Sequence, residues 1–496
     1  MLFNSYIFVL GFLPVVLLGW YALNNLKRFF AAKIFLVLAS LCFYGYVNCR
    51  LLSVILLSVF INFALSKMLL CRKECCIKLR KFIFFLSLTI NIGSLFVFKY
   101  FDFFIENINQ VFKTSLPLMH IALPLGISYF TFQQIAYTVD SYKRIEEMNN
   151  YNFWDYMLFI TYFPKLVAGP IVTHKEMIPQ FADVSRRKFN PENFAKGIWA
   201  FTLGLGKKVI IADSFGLLVD AGYADISKLG TVNALLVMLA YTFQIYFDFS
   251  GYCDMATGIG KMMNIDIAIN FNSPYKAIGI VDFWKRWHIT LTNFFTKYIY
   301  IPLGGNRKGK ARTYVNIMIV FLISGIWHGA NWTFIIWGLL HGVANVATKI
   351  IDGKTNLFSQ NRKTVKLFLW FITFAFINLT WVVFRSQSFA QAGEFYRQLF
   401  DFGSILSHEK IPVAEFLKNM YVGGFELFDP YIPKLSIIVP AGIFLFAFTS
   451  SIVMKNTNKQ IEKFRPTIVK SIFACIILYW CIMSFGTVSS FLYWTF

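Results

Sequence analysis

Chemistry first becomes possible in this chain where Trp327-His328-Gly329-Ala330 interrupts the apolar run of residues 314–346. An ionisable side chain at membrane depth is expensive, faces the protein interior or a water-filled path, and is a functional candidate by default. A second histidine, His288, closes the upstream run Asp282-Phe283-Trp284-Lys285-Arg286-Trp287-His288. Together the two suggest an intramembrane chemical site rather than a passive anchor. The order along the chain does not place them side by side.

The elements that must position them are membrane helices. The 496 residues are 57% hydrophobic and 15% charged, with 58 Phe and a mean hydropathy of +0.58, outside the range of a soluble domain. Apolar segments of about 20 residues, enough to cross a ~30 Å core, begin at Phe3, Phe30, Leu51, Phe82, Leu118, Ala195, Val232, Tyr314, Trp332, Lys366, Leu435 and Thr467. The expected fold class is therefore all-α and polytopic. Residues 1–6 lack a basic n-region, so no cleavable signal peptide is expected.

The net charge of +22 sits between the spans, with no basic face of a soluble domain. This is the positive-inside pattern and not a nucleic-acid surface. It puts Lys27 and Arg28 inside, residues 48–50 outside, 72–81 inside, 106–114 outside, and both termini outside. Residues 151–173 conflict with this scheme, because both flanks are basic and a single crossing cannot satisfy them. Phe163-Pro164-Lys165-Leu166-Val167-Ala168-Gly169-Pro170 resolves it, since two prolines and a glycine break a helix. A re-entrant or broken helix is expected there, buried in protein or lining a cavity. Residues 261–312, rich in Lys and Arg among aromatics, read as a cytoplasmic face with short interfacial or dipping helices that carries His288. His328 follows Arg312 by 16 residues, about 24 Å of helix, deep in the bilayer and toward its outer half. Residues 386–434 form the longest polar insertion, expected outside, in an otherwise single membrane domain spanning 1–496. The eight cysteines lack metal-ligand spacing, and neither a disulfide framework nor a metal site is expected.

Four motifs in order carry a resemblance: Tyr246-Phe247-Asp248-Phe249-Ser250-Gly251-Tyr252-Cys253-Asp254-Met255, then Phe283-Trp284-Lys285-Arg286-Trp287-His288-Ile289-Thr290-Leu291, Tyr300-Ile301-Pro302-Leu303-Gly304-Gly305-Asn306-Arg307, and Gly325-Ile326-Trp327-His328-Gly329-Ala330. The chain resembles the bacterial membrane-bound O-acyltransferases, its nearest branch being like the alginate O-acetyltransferases. The resemblance implies a helical ring with cytoplasmic and extracytoplasmic funnels. It also implies transfer of an acetyl or other short acyl group from a cytoplasmic thioester, acetyl-CoA or an acyl-carrier protein, to an oxygen outside. No permanently bound cofactor is implied. By motif, His328 matches the catalytic histidine and His288 the family's second histidine. A histidine of ordinary pKa ~6.5 suits removal of an alcohol proton near neutral pH. Phe491-Leu492-Tyr493-Trp494-Thr495-Phe496 resembles an aromatic ending in which a tyrosine carries the acyl group to an outside transferase; the alternative is an interfacial aromatic belt.

Blander readings stand beside these. His120, His174, His341 and His408 are expected to be structural or interfacial. Asp248 is expected in a structural network, with Gln244 and Tyr252 as its i, i+4 neighbours, or lining a funnel, and Trp327 is expected to line a funnel or bind the donor. Lys285 and Arg286 either attract phosphates of the donor or are ordinary positive-inside charge. Lys207 and Lys208 follow glycines but lack phosphate-loop spacing. Gly325, Gly329 and Ala330 would admit a substrate or a neighbouring helix closely. The function expected is O-acylation of an exported or cell-surface polysaccharide at a bacterial cytoplasmic membrane, with a separate extracytoplasmic glycan acyltransferase as partner. Peptidoglycan or teichoic acid is the alternative acceptor. A transporter or noncatalytic scaffold is the rival class, and the absence of an internal repeat and the histidine motif weigh against it.

Overall fold

A computed structural model describes residues 1–70, 77–143, 151–360, 362–406, 411–420, 435–487 and 491–492. All regular structure among them is helical. Among the described residues, seven helices are long and apolar enough to cross a membrane: Ile7–Asn25, Cys49–Leu70, Ile77–Phe112, Gly230–Met262, Trp332–Thr355, Lys363–Arg385 and Leu435–Ile452. Phe29–Gly45 and Ile468–Met483 are shorter apolar helices. The chain divides into two compact units, Met1–Phe201 with Met255–Ala268, and Thr202–Asp254 with Ile269–Phe496.

In the first unit, Leu118 starts no helix, contrary to expectation. His120 takes a left-handed backbone conformation (φ 47°), and the Asp102 carboxylate accepts the N–H groups of Met119 and His120 at 2.8 and 2.9 Å. Those donors, with Pro117 and Pro124 nearby, are settled outside a helix. The helix begins only at Ile127, after Gly126 (φ 68°), where a Cβ would stand 2.6 Å from the Leu166 carbonyl oxygen. Each of the other expected starts falls on or beside a helix. The expected break is present: Phe153–Thr161 stops at Tyr162, Phe163–Leu166 makes one turn, and the next helix is His174–Ala182. Backbone freed by a break must find a partner where water is absent. Here the Phe163 N–H donates to the Ser40 hydroxyl at 3.2 Å, and the Lys165 ammonium donates to Gln133 Oε1 at 2.6 Å.

The second unit holds both histidines of interest. Gly309–His328 and Trp332–Thr355 form a close helical hairpin. A Cβ on Gly325 would lie 2.5 Å from the Phe334 oxygen, and one on Gly338 would lie 2.4 Å from the Phe321 oxygen. The small residues flanking His328 thus admit a neighbouring helix, as in small-xxx-small packing. The Lys- and Arg-rich stretch before this hairpin is built from short pieces, Pro274–Lys276, Ile280–Trp284, Ile289–Phe295 and Thr296–Tyr300, as expected of residues 261–312.

Candidate active site

His328 is the last residue of its helix and is 2% exposed. The rings walling it in include Trp327 at 4.7 Å between centroids, Trp337 at 5.0 Å and Phe384 at 5.2 Å, all edge-on. The chain leaves this box through Gly329, where a Cβ would fall 2.2 Å from the Phe334 ring. Only a glycine lets Phe334 close against that turn.

His288 is held differently. It caps Ile289–Phe295 in a left-handed conformation (φ 45°), which costs a non-glycine residue roughly 1–2 kcal/mol. The surroundings hold it there: Ile289 N–H donates to the Asn270 carbonyl at 3.0 Å, and Thr292 N–H donates to the His288 carbonyl at 3.1 Å. The Asn270 side chain then decides the chemistry. Its Oδ1 accepts the Thr290 N–H at 3.2 Å and the Thr290 hydroxyl at 2.9 Å, while its Nδ2 points at the Cys253 sulfur at 3.5 Å. A backbone N–H cannot accept, so the amide orientation is fixed by its network. His288 Nδ1, 3.1 Å from the same Oδ1, must therefore carry the proton. The neutral imidazole presents Nε2 as its lone pair. Burial pushes the His288 pKa down to about 3, because a cation there would be desolvated. Asn270 had no signal in the sequence.

The two histidines, 40 residues apart in the chain (328 minus 288), meet through one ring. Trp327 lies 5.8 Å from His288 and 4.7 Å from His328. His341 stands nearby, with a partner at each ring nitrogen. Trp284 Nε1 donates to its Nδ1 at 3.3 Å, and Nε2 lies 3.0 Å from the Thr380 hydroxyl, which itself donates to Ile377. Its ring packs 4.8 Å from Trp337, steadying a wall of the His328 box.

A cavity of about 380 Å³ opens beside this centre, lined by Trp284, Lys285, Tyr300, Phe321, Ser324 and Lys349 among others. Ser324 precedes His328 by one helical turn, on the same face. A second cavity of about 520 Å³ shares Val281, Lys285 and Lys349 with the first. Lys285 therefore sits at the seam of two chambers, and Lys349 joins it. Arg286 is instead paired with Asp282 at 2.8 Å.

Asp248 is 2% exposed. Its partners are neither Gln244 nor Tyr252 but the Lys208 ammonium at 2.6 Å and the Leu492 backbone N–H at 3.0 Å. Lys208 also reaches Asp213 at 2.8 Å, while Lys207 reaches Asp254 at 2.6 Å. Both lysines begin the π-helical stretch Lys207–Ala212, whose wider turn departs from ordinary helical spacing. Tyr493 and His408 lie outside the described residues.

Comparison with known proteins adds the following. The sequence model of the membrane-bound O-acyltransferase family matches residues 34–386. A peptidoglycan O-acetyltransferase of Helicobacter pylori is 39% identical over 507 aligned residues, covering 96% of this chain and 94% of the relative. A probable alginate O-acetylase, AlgI, of Pseudomonas aeruginosa is 35% identical, covering 82% and 76%. A teichoic acid D-alanyltransferase of Streptococcus thermophilus is 28% identical, covering 52% and 68%.

Proposed function

The chain belongs to the membrane-bound O-acyltransferase family and is a multi-pass O-acyltransferase, and we propose that it passes acetyl groups from a cytoplasmic thioester to peptidoglycan outside the membrane. The observation that carries the chemistry is the pairing of His328 and His288 across Trp327, with a thioester-sized cavity reaching within a turn of His328. Pockets of several hundred cubic ångströms suit ligands of this class.

In this reading the acetyl thioester of coenzyme A or of a carrier protein enters the first cavity, with Lys285 and Lys349 at its phosphates. His328 takes the proton of the attacking hydroxyl. The new C–O bond forms at the acetyl carbonyl carbon, the C–S bond breaks, and the proton passes from the imidazole to the departing thiolate, giving a free thiol and an O-acetyl ester. His288, its Nδ1–H given to Asn270, offers Nε2 as an acceptor next to Trp327. A thioester is already a good electrophile, so no serine or cysteine ester is required. The first hydroxyl acylated is that of Tyr493, from which a separate extracytoplasmic transferase moves the acetyl group to the glycan. The membrane is the bacterial cytoplasmic membrane, with both termini outside, as the basic loops suggest.

Peptidoglycan is favoured as acceptor because the peptidoglycan O-acetyltransferase aligns with more of this chain, and at higher identity, than the alginate O-acetylase of Pseudomonas aeruginosa does. An alginate-like exopolysaccharide is the second reading, supported by that relative.

The test is transfer of radiolabelled acetyl from acetyl-CoA by the protein in lipid, with the label mapped by mass spectrometry and released glycan strands assayed for O-acetyl groups. His328→Ala should lower transfer by about a hundred- to ten-thousand-fold, the usual worth of a general base. Tyr493→Phe should abolish label on the protein. Transfer unaffected by His328→Ala would remove the proposed base. Label on an exopolysaccharide but not on glycan strands would move the acceptor to the second reading.

A further inference from the structure

We propose that the cluster of Lys208, Asp248 and Asp213 is a docking site for the chain's own C-terminal segment, holding residues 491–492 level with His288 so that Tyr493 is presented for acylation. The presentation step rests on the reading of Tyr493 as the acyl relay; the docking site does not.

The cluster holds two carboxylates around one ammonium. Lys208 Nζ is 2.8 Å from Asp213 Oδ1 and 2.6 Å from Asp248 Oδ1. Buried charge needs every lone pair answered, and the second oxygen of Asp248 is answered from the C-terminus, by the Leu492 N–H at 3.0 Å. Hydrogen bonds to a carboxylate are among the stronger ones. The preceding residue makes a second contact with the same lysine: the ammonium lies 4.8 Å from the centroid of the Phe491 ring, within cation–π range. Phe491 is 1% exposed and meets Tyr252 edge-on at 4.9 Å and 89°. A backbone donor and an aromatic face, contributed by adjacent residues, thus use both charges of the Lys208–Asp248 pair.

The docking site and the histidine site share one turn of the Gly230–Met262 helix. Asp248 and Tyr252, at i and i+4, hold the tail. Phe249 and Cys253, one residue further on in each case, face the other centre: the Phe249 ring is 4.8 Å from His288, and the Cys253 sulfur receives the Asn270 amide at 3.5 Å. Adjacent helix positions are about 100° apart around the axis, so the two pairs occupy neighbouring faces at the same height.

Hydrogen-exchange mass spectrometry on the full chain in lipid nanodiscs reads the docking directly, in the peptide covering residues 491–496. Acetylation of Tyr493 from acetyl-CoA, followed in the same preparations, reads its consequence. Phe491→Ala, which leaves the ion cluster intact, should speed tail exchange and lower the Tyr493 acetylation rate by about tenfold, on the scale of one lost anchoring contact. Phe491→Trp should restore both, which general damage to the fold would not permit. Asp248→Asn should loosen the tail in the same way. Equal tail exchange in wild type, Phe491→Ala and Asp248→Asn would overturn the docking site. A loosened tail with undiminished Tyr493 acetylation would overturn its role in presentation. A tail protected in wild type and loosened in Phe491→Ala, with no acetyl on Tyr493 in either, supports the docking site and overturns the relay reading alone.

Discussion

Among single residues, Asn270 is the most informative. It leaves His288 little choice of proton position, because its Oδ1 is already committed to accepting from Thr290. A lone pair at Nε2 follows from that one amide, and a charge-changing substitution tests it. Asn270→Asp offers the same acceptor oxygen to Thr290 and to Nδ1–H but adds a negative charge, which favours the imidazolium. Wild-type His288, its pKa held down to about 3 by burial, stays neutral through the working range. The carboxylate should raise that pKa, so His288 protonates and loses its Nε2 lone pair as pH falls through the raised value. The acid limb of the acetyl-transfer profile should accordingly move upward, with activity recovering at higher pH. A profile scaled down equally at all pH values would mean that Asn270 is structural only. His328 is set apart instead by its aromatic box.

At the level of elements, the hairpin of Gly309–His328 and Trp332–Thr355 sets where His328 stands, and glycines set the hairpin. Gly338→Ala would put a methyl 2.4 Å from the Phe321 carbonyl, which is backbone and cannot swing aside. Overpacking of this kind costs ~1–3 kcal/mol, and relief requires the helices to separate. Lowered thermal stability and a larger fall in acetyl transfer than in protein yield are the expected outcomes; wild-type transfer with unchanged stability would show that the crossing can widen without moving His328. Such elements were legible in the sequence because apolar length and proline or glycine breaks are local signals. The Phe163 to Pro170 break and the short helices before the hairpin could be read directly. Leu118 misled because an apolar, proline-flanked stretch reads as a span, whereas Asp102 and a left-handed His120 settle its backbone without a helix. His328, His288 and Trp327, which the fold brings together, were picked out by their motifs. Asn270, Lys349 and the Lys207–Asp254 and Lys208–Asp248 pairs were not, since their meanings depend on partners 18 to 64 residues away (288 minus 270; 349 minus 285) and on a π-helical turn that ordinary 3.6-residue periodicity does not anticipate.

For the molecule as a whole, a charge of +22 has two physical readings. Spread over the loops it reports topology; gathered at one mouth it attracts an anion and raises its local concentration. Lys285 and Lys349 are where the readings diverge, because both line both chambers, the first largely apolar and lined by Ser324, the second carrying Asp282 and Asp352 beside the lysines. A donor with an acyl-pantetheine arm and phosphates at its other end would place its apolar part in the first chamber and its phosphates at that seam. Replacing both lysines by Met should raise KM for acetyl-CoA by about tenfold or more, the size of a lost charge-assisted contact, and should flatten the dependence of KM on salt, because screening weakens charge contacts only where they exist. The acetyl thioester of N-acetylcysteamine, which has the arm's end without phosphates, should be used equally well by both proteins. That difference between donors is the decisive reading: a loss shared by both thioesters would mean that the lysines shape or orient the chain, and a loss confined to acetyl-CoA would mean that part of the molecule's positive excess is a binding site.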